Sequence, residues 1–267
     1  YNILKDVDIS IPKIITKNEK DLTIISQDFG DLRYDKIIKK ESVKSWINLL
    51  QYAIDTLIVI NKSITFNKKF NLKDYNFDDF KREIIELPKY YFPYANICSS
   101  QNLTEEFLNI WTESYKNLDF NFYSFVHKDF NINNLILLPP KKHYLKCGII
   151  DYQSAFWGEN CWDLFSLLED SRIFFTDEFN EEFIDYLYNK TNQKITLEEY
   201  KLKYHFLNCS RQTRLIGRWV KLSEDLNKKW YLDFIPVTKK RLQTSLNFLK
   251  NDNLNNFYNK YIFNYEF

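Results

Sequence analysis

The 267-residue chain contains no methionine, and Tyr1 stands where one would normally begin. At this length that scarcity leads us to expect that the start, at least, lies upstream. Glycine is nearly as rare: Gly30, Gly148, Gly158 and Gly217 are all there are, and none forms a G-x-G-x-x-G or G-x-x-x-x-G-K pattern. A glycine-rich phosphate cradle is therefore not visible. The four cysteines (Cys98, Cys147, Cys161, Cys209) are widely spaced with no C-x-x-C pair, which argues against a zinc site or disulfide scaffold and for reduced thiols in the cytoplasm. Charge of neither sign dominates, with 37 Lys and Arg against 36 Asp and Glu. No overall field points to nucleic acid or an anionic membrane as partner. Long apolar runs are missing too: IDTLIVI at 54 to 60 falls well short of the roughly 20 residues that span a bilayer. Tyr1 opens no signal-peptide pattern. We expect a soluble monomer without nucleic-acid or membrane partners.

What is present suffices for a large core, since 45% of residues are hydrophobic. Near the start, DLTIISQ (21 to 27) has the β-branched content of a buried strand and DFGD follows as a breaker. From Ser42 to Ile60 apolar residues recur at helical spacing, with Ser42 as the expected cap. A second stripe spans about 77 to 92, and a third helix is expected to start at Thr104, where TEEF resembles a capping box. LILL (135 to 138) and HYLKCGII (143 to 150), separated by PPKK, predict a hairpin. Beyond Gly158 the chain turns helical again.

The chemistry concentrates around that hairpin. His127, Asp129 and Asn134 have the spacing H-x-D-x-x-x-x-N of a protein-kinase catalytic loop. The hairpin then ends in Ile149-Ile150-Asp151, where a kinase holds its metal-binding aspartate. Phosphoryl transfer needs a carboxylate to orient a hydroxyl and accept its proton, and hard oxygen ligands for Mg²⁺ on the phosphates. Asp129 suits the first role, and Asn134 with Asp151 the second. The bland alternatives are a solvated loop aspartate, an Asx turn and a strand-end cap.

VHKDFNINNLIL together with GIIDYQSAFWGENCWDLFSLLED resembles the aminoglycoside phosphotransferase and choline kinase-like family of the protein-kinase-like fold. Within it, the second motif is similar to that of bacterial sugar kinases acting on N-acetylmuramate and N-acetylglucosamine at the anomeric hydroxyl. SRQTRLIGRWVKLSEDLNKKWYLDFIP extends the likeness, which runs from about Ile9 to Leu246. Ser154 departs from the family motif, which has Asp there. The resemblance implies an α+β, two-lobed fold: residues 1–28 as a remnant of the small lobe and 29–267 as the large helical lobe. DLTIISQDFGD then corresponds to the last small-lobe strand and the hinge, so the glycine-rich loop and ATP-pairing lysine are expected upstream of Tyr1. It further implies ATP and Mg²⁺ as cofactors, a small-molecule substrate, hinge residues Gln27 and Phe29 against the nucleotide, and Gln153, Arg172 and Arg211 as substrate candidates. Arg214 is a weaker candidate of the same kind. His127 and Asp163 are expected to support the loop rather than react. Alternatives are a choline, thiamine or aminoglycoside-type kinase and a non-catalytic pseudokinase or scaffold.

Overall fold

The computed structural model describes residues 1–40, 43–97, 100–120, 123–173, 175–191 and 194–264. Ser42, the expected helix cap, and Cys98 lie outside the described residues. Strands β1 (Ile14–Asn18) and β2 (Thr23–Ser26) come first, then helices α1 (Tyr34–Ile38) and α2 (Val43–Ser63) and the short strand β3 (Lys73–Asp74). α3 (Phe77–Ile84), α4 (Phe92–Tyr94) and α5 (Gln101–Lys116) follow, with a π-helical turn over Leu87–Tyr91. β4 (Ser124–Val126), β5 (Leu135–Leu137), β6 (Cys147–Ile149) and β7 (Phe156–Gly158) occupy the middle of the chain. α6 (Trp162–Leu168), α7 (Asp177–Lys190), α8 (Leu197–Asp225), α9 (Ile235–Leu249) and α10 (Asp252–Tyr258) complete it. The described chain is thus α+β, mostly helical with small sheets.

Two compact units divide these elements. The first comprises residues 1–74, 121–170 and 178–194. Its long helix is amphipathic as the spacing requires: Leu49, Leu50, Ala53, Ile54 and Leu57 form a buried stripe on α2. β5 and β6 pair antiparallel with Leu135 opposite Ile149, Ile136 opposite Gly148 and Leu137 opposite Cys147. The predicted hairpin is present, but its second strand is shorter than expected. His143–Lys146 forms a 3-10 turn instead, and the Ser10 hydroxyl donates to the Leu145 carbonyl at 2.7 Å within it. A second sheet has the order β3, β7, β4, parallel for β3 with β7 and antiparallel for β4 with β7.

β2 pairs antiparallel with β1, a strand the hydrophobic pattern did not reveal. The expectation that β2 is buried is wrong: Ile24 and Ile25 are 62% and 57% exposed. β-branched residues favour the extended backbone by themselves, whereas burial needs a layer to pack against, and this two-stranded ribbon has none among the described residues.

The second unit comprises residues 75–120, 171–177 and 195–267. Capping sets its helix starts. The Thr196 hydroxyl accepts the Glu199 N–H at 3.2 Å while the Glu199 carboxylate accepts the Thr196 N–H at 2.8 Å, a capping box for α8. Asn76 and Asp79 do the same for α3. α5 begins earlier than expected, because Ser100, not Thr104, caps it by accepting the Leu103 N–H at 3.2 Å. TEEF falls inside its opening turns. Gly217 on α8 meets the π-helical turn so closely that an added Cβ would overlap the Glu86 carbonyl. Around them Trp111, Phe80, Phe206 and Phe107 pack edge-on and stacked. The Trp111 indole N–H reaches the Tyr258 hydroxyl at 3.2 Å, so this buried polar atom is paired.

Candidate active site

The octet from His127 to Asn134 is a loop between β4 and β5, and its backbone is tied by its own side chains. The Asp129 carbonyl accepts three N–H groups: the Asn131 amide at 2.9 Å and the side-chain amides of Asn131 at 3.1 Å and Asn134 at 2.9 Å. Because that carbonyl can only accept, the Asn134 nitrogen must face it, and the Asn134 side-chain oxygen is turned the other way. The Asn134 carbonyl in turn receives the Ile150 N–H at 3.1 Å, one residue beyond the β5/β6 ladder. Asn134 and Asp151 therefore flank the same end of the hairpin, as its length predicts.

His127 closes the other side of this arrangement. It is buried, and its Nε2 lies 3.0 Å from the Ile150 carbonyl, so Nε2 carries the proton and the ring is the neutral donor. Burial lowers its pKa below the ordinary value, against the pull of that bond and of Asp129 and Asp151. Nδ1 is buried with no hydrogen-bond partner among the described residues. The ring packs edge-on against Phe130, with centroids 5.7 Å apart.

Asp163, in the first turn of α6, holds the front of the loop. Its carboxylate accepts the His127 N–H at 2.7 Å and the Lys128 N–H at 3.0 Å. Burial pushes this carboxyl up to about 7 despite those two bonds, with a smaller push from Asp129. Between them Lys128 is held at φ 79° and Asp151 sits at φ 68°, ψ 37°. Both are left-handed conformations, costly for non-glycine residues and maintained only where neighbours over-determine them.

A cavity of about 730 Å³ in the first unit opens beside Asp151. Gln27, Phe29, Gly30 and Gln153 line it together with Asp151, so both hinge candidates share a space with that carboxylate. The Phe29 ring packs on Gly148, where an added Cβ would lie 2.7 Å from a ring carbon. Gln153 is exposed and its amide donates to one Asp151 oxygen at 2.9 Å. Lys17 and Arg33 bring positive charge to the same lining, Arg33 in a bidentate pair with Asp35 at 2.9 Å. The sequence pattern missed these two cations; an i, i+2 pair has no periodic signature, and Lys17 lies on the unforeseen β1.

Arg172 and Arg211 belong to the second unit, Arg172 half-buried ahead of α7 and Arg211 buried within α8. Arg214 lies 3.7 Å from Glu83. Phe156 and Trp157 are buried in β7 and serve the core. Of the four cysteines, Cys147, Cys161 and Cys209 are buried and not joined in disulfides.

Among the described residues no group of three or more His, Cys, Asp or Glu side chains is arranged to hold a metal alone. One carboxylate and one amide oxygen is a donor set that fits Mg²⁺, which takes its other ligands from phosphates and water. Likewise no described helix is long and apolar enough to cross a membrane.

Residues 75–197, which include the whole loop and Asp151, match the family model described as the phosphotransferase enzyme family. Two curated relatives, both named N-acetylmuramate/N-acetylglucosamine kinase, are 24% identical over 234 residues (Caulobacter vibrioides) and 21% identical over 238 residues (Neisseria meningitidis serogroup B). Each alignment covers 85% of this chain, and the chain spans 64% of the first relative's length and 68% of the second's. Among solved structures, the ADP-bound aminoglycoside phosphotransferase APH(2'')-Ib superposes with a TM-score of 0.56 at 18% identity, over 93% of this chain and 80% of that one. The choline kinase LicA from Streptococcus pneumoniae gives 0.55 at 16% identity, over 93% and 77%. The fold is therefore the protein-kinase-like one of aminoglycoside phosphotransferases and choline kinases.

Proposed function

We propose that the protein transfers the γ-phosphoryl group of ATP to a hydroxyl of a small molecule, an amino sugar of the N-acetylmuramate and N-acetylglucosamine type at its anomeric carbon. The observation that supports this reading is that Asn134 and Asp151 flank one end of the β5/β6 hairpin, with the Asp129 carbonyl bound to the Asn134 side chain and Asp151 lining a cavity together with Gln27 and Phe29. The acceptor oxygen forms its bond to phosphorus as the bond to ADP breaks, and the Asp129 carboxylate takes the hydroxyl proton. Asn134 and Asp151 would hold Mg²⁺, which when bound would offset the charge that builds on the phosphates. Asp163 and His127 keep the loop in register and take no part in bond making. Residues 1–28 act as the small-lobe side of the nucleotide site and 29–267 as the large lobe. Arg172, Arg211 and Gln153 remain candidates for the acceptor.

The names of both curated relatives support the amino-sugar acceptor, while the choline kinase neighbours keep an amino alcohol as the second reading. The test is a coupled-kinase screen of the intact protein over amino sugars, amino alcohols and aminoglycosides, with Asp129→Asn alongside. We expect turnover of an amino sugar and a fall of about a hundredfold or more in kcat for the variant, the usual worth of a general base. Wild-type-like turnover by Asp129→Asn would remove the assigned base. Thermal stabilisation by Mg·ATP separates either kinase from a scaffold, since binding raises stability by mass action.

A further inference from the structure

Gln153 stands two residues after the carboxylate proposed to hold the divalent ion, and it is bound to that carboxylate. Its side-chain amide nitrogen lies 2.9 Å from Asp151 Oδ1. A carboxylate only accepts, so the nitrogen end of the amide faces it and donates. The local backbone sets up the contact. Asp151 sits in the left-handed region at φ 68°, ψ 37°, and Tyr152–Ser154 forms a 3-10 turn directly after it. On an α-helix an i, i+2 pair points apart; here the left-handed residue followed by the tight turn brings the two side chains together. Both line the cavity of about 730 Å³ that Gln27 and Phe29 also border.

The bond changes what Asp151 has to offer a cation. A bare carboxylate can grip an ion with one oxygen or with both, and the two modes suit different ions. Ca²⁺ takes about six to eight oxygens in a flexible shell and readily accepts both oxygens of one carboxylate, whereas Mg²⁺ is octahedral and keeps several of its waters. With Oδ1 engaged by Gln153, an ion that took both Asp151 oxygens would compete with the amide for one of them. Asn134 is limited in the same way: its nitrogen is held by the Asp129 carbonyl at 2.9 Å, which leaves one amide oxygen. Single oxygens form a sparse set that an ion retaining its own waters completes more easily than Ca²⁺ does. We infer that Gln153 is a positioning residue that keeps Asp151 to one metal-binding oxygen and so sets a preference for Mg²⁺ over Ca²⁺. This deepens the proposed phosphoryl-transfer reading and rests on it. One amide hydrogen suffices for the role, so the rest of the Gln153 amide stays open to the acceptor.

The experiment titrates the intact protein with the non-hydrolysable β,γ-imido analogue of ATP by calorimetry, at saturating Mg²⁺, at saturating Ca²⁺ and in EDTA, for wild type, Gln153→Leu and Gln153→Glu. Neither a leucine side chain nor a glutamate carboxylate has an N–H to give Asp151. The analogue's own affinity for each ion is the same throughout, so it cancels when the ratio of the Ca²⁺ Kd to the Mg²⁺ Kd is compared between proteins. The expected result is that this ratio falls about tenfold in both variants, the worth of a hydrogen bond to a charged group. Both side chains of the pair are exposed, so the melting temperature should stay within about 2 °C of wild type. Equal changes under the two ions, with the ratio unchanged, would overturn the assignment and leave the phosphotransferase reading intact. A wild type that binds the analogue as tightly in EDTA as with either ion would instead remove Asn134 and Asp151 as metal-holding residues, and this inference with them.

Discussion

Asp163→Ala is the perturbation whose magnitude the structure defines most directly. The carboxylate accepts two backbone N–H groups, from His127 at 2.7 Å and from Lys128 at 3.0 Å. Alanine leaves both donors buried without a partner, at about 1–3 kcal/mol each, so the gross loss is about 2–6 kcal/mol. Part of this is offset, because the wild-type carboxylate is itself uncomfortable: burial has pushed its pKa up to about 7, and that penalty disappears with the side chain. We expect a net loss of about 3 kcal/mol. Asp163→Asn keeps one acceptor but presents an NH₂ group to the other N–H, and should fall between wild type and alanine. Urea unfolding gives the net change, and hydrogen exchange at the His127 and Lys128 amides locates it. With Lys128 no longer held in the left-handed region, Asp129 should drift and kcat should fall more than KM rises. A stability change under about 0.5 kcal/mol with both amides still protected would refute the claim that Asp163 anchors the loop.

Three further predictions concern other parts of the molecule. Gly217→Ala should destabilise by about 3 kcal/mol or more, because the new Cβ would overlap the Glu86 carbonyl and sit 2.8 Å from the Leu87 nitrogen; a melting temperature within about 2 °C of wild type would contradict this backbone contact. In Gly148→Ala the Cβ would meet Phe29 ring carbons at 2.7 and 2.9 Å, moving a wall of the cavity, so KM for ATP should rise several-fold with kcat for the sugar little altered; an unchanged KM would separate Phe29 from nucleotide binding. The Asp163 carboxyl binds a proton more tightly folded, at about 7, than at its ordinary 3.8, so its contribution is fully present below about pH 4 and is lost as pH rises toward and through about 7. The difference between wild-type and Asp163→Asn stability should therefore slope across that window and flatten above it, and a flat difference would show that the carboxyl is not raised.

Local chemistry made much of this legible without coordinates. H-x-D-x-x-x-x-N followed by a hairpin and Asp151 located the loop, since the octet and the hairpin are neighbours in the chain and only a turn separates the strands. The long helices were legible from apolar spacing, as α2 shows. Errors arose where a neighbour decided the outcome. The start of α5 moved to Ser100 because two residues competed for one cap. β2 emerged as an exposed strand because its composition describes backbone preference, while burial depends on another layer.

By itself the sequence determined the residue types available: an aspartate at the spacing of a kinase catalytic loop, an asparagine and a second aspartate after the hairpin, and no glycine-rich cradle pattern among these 267 residues. It also determined the hairpin that carries two of them, because that pairing is local. Only the tertiary structure decided how the loop is held. The bonds from Asp163 to His127 and Lys128 bridge 36 and 35 positions, a separation over which no pattern in a single sequence operates. The left-handed backbone of Lys128 follows from those bonds rather than from the residue, since lysine alone prefers to avoid it. A composition can supply the side chains, but contacts distant in sequence must hold a strained loop geometry.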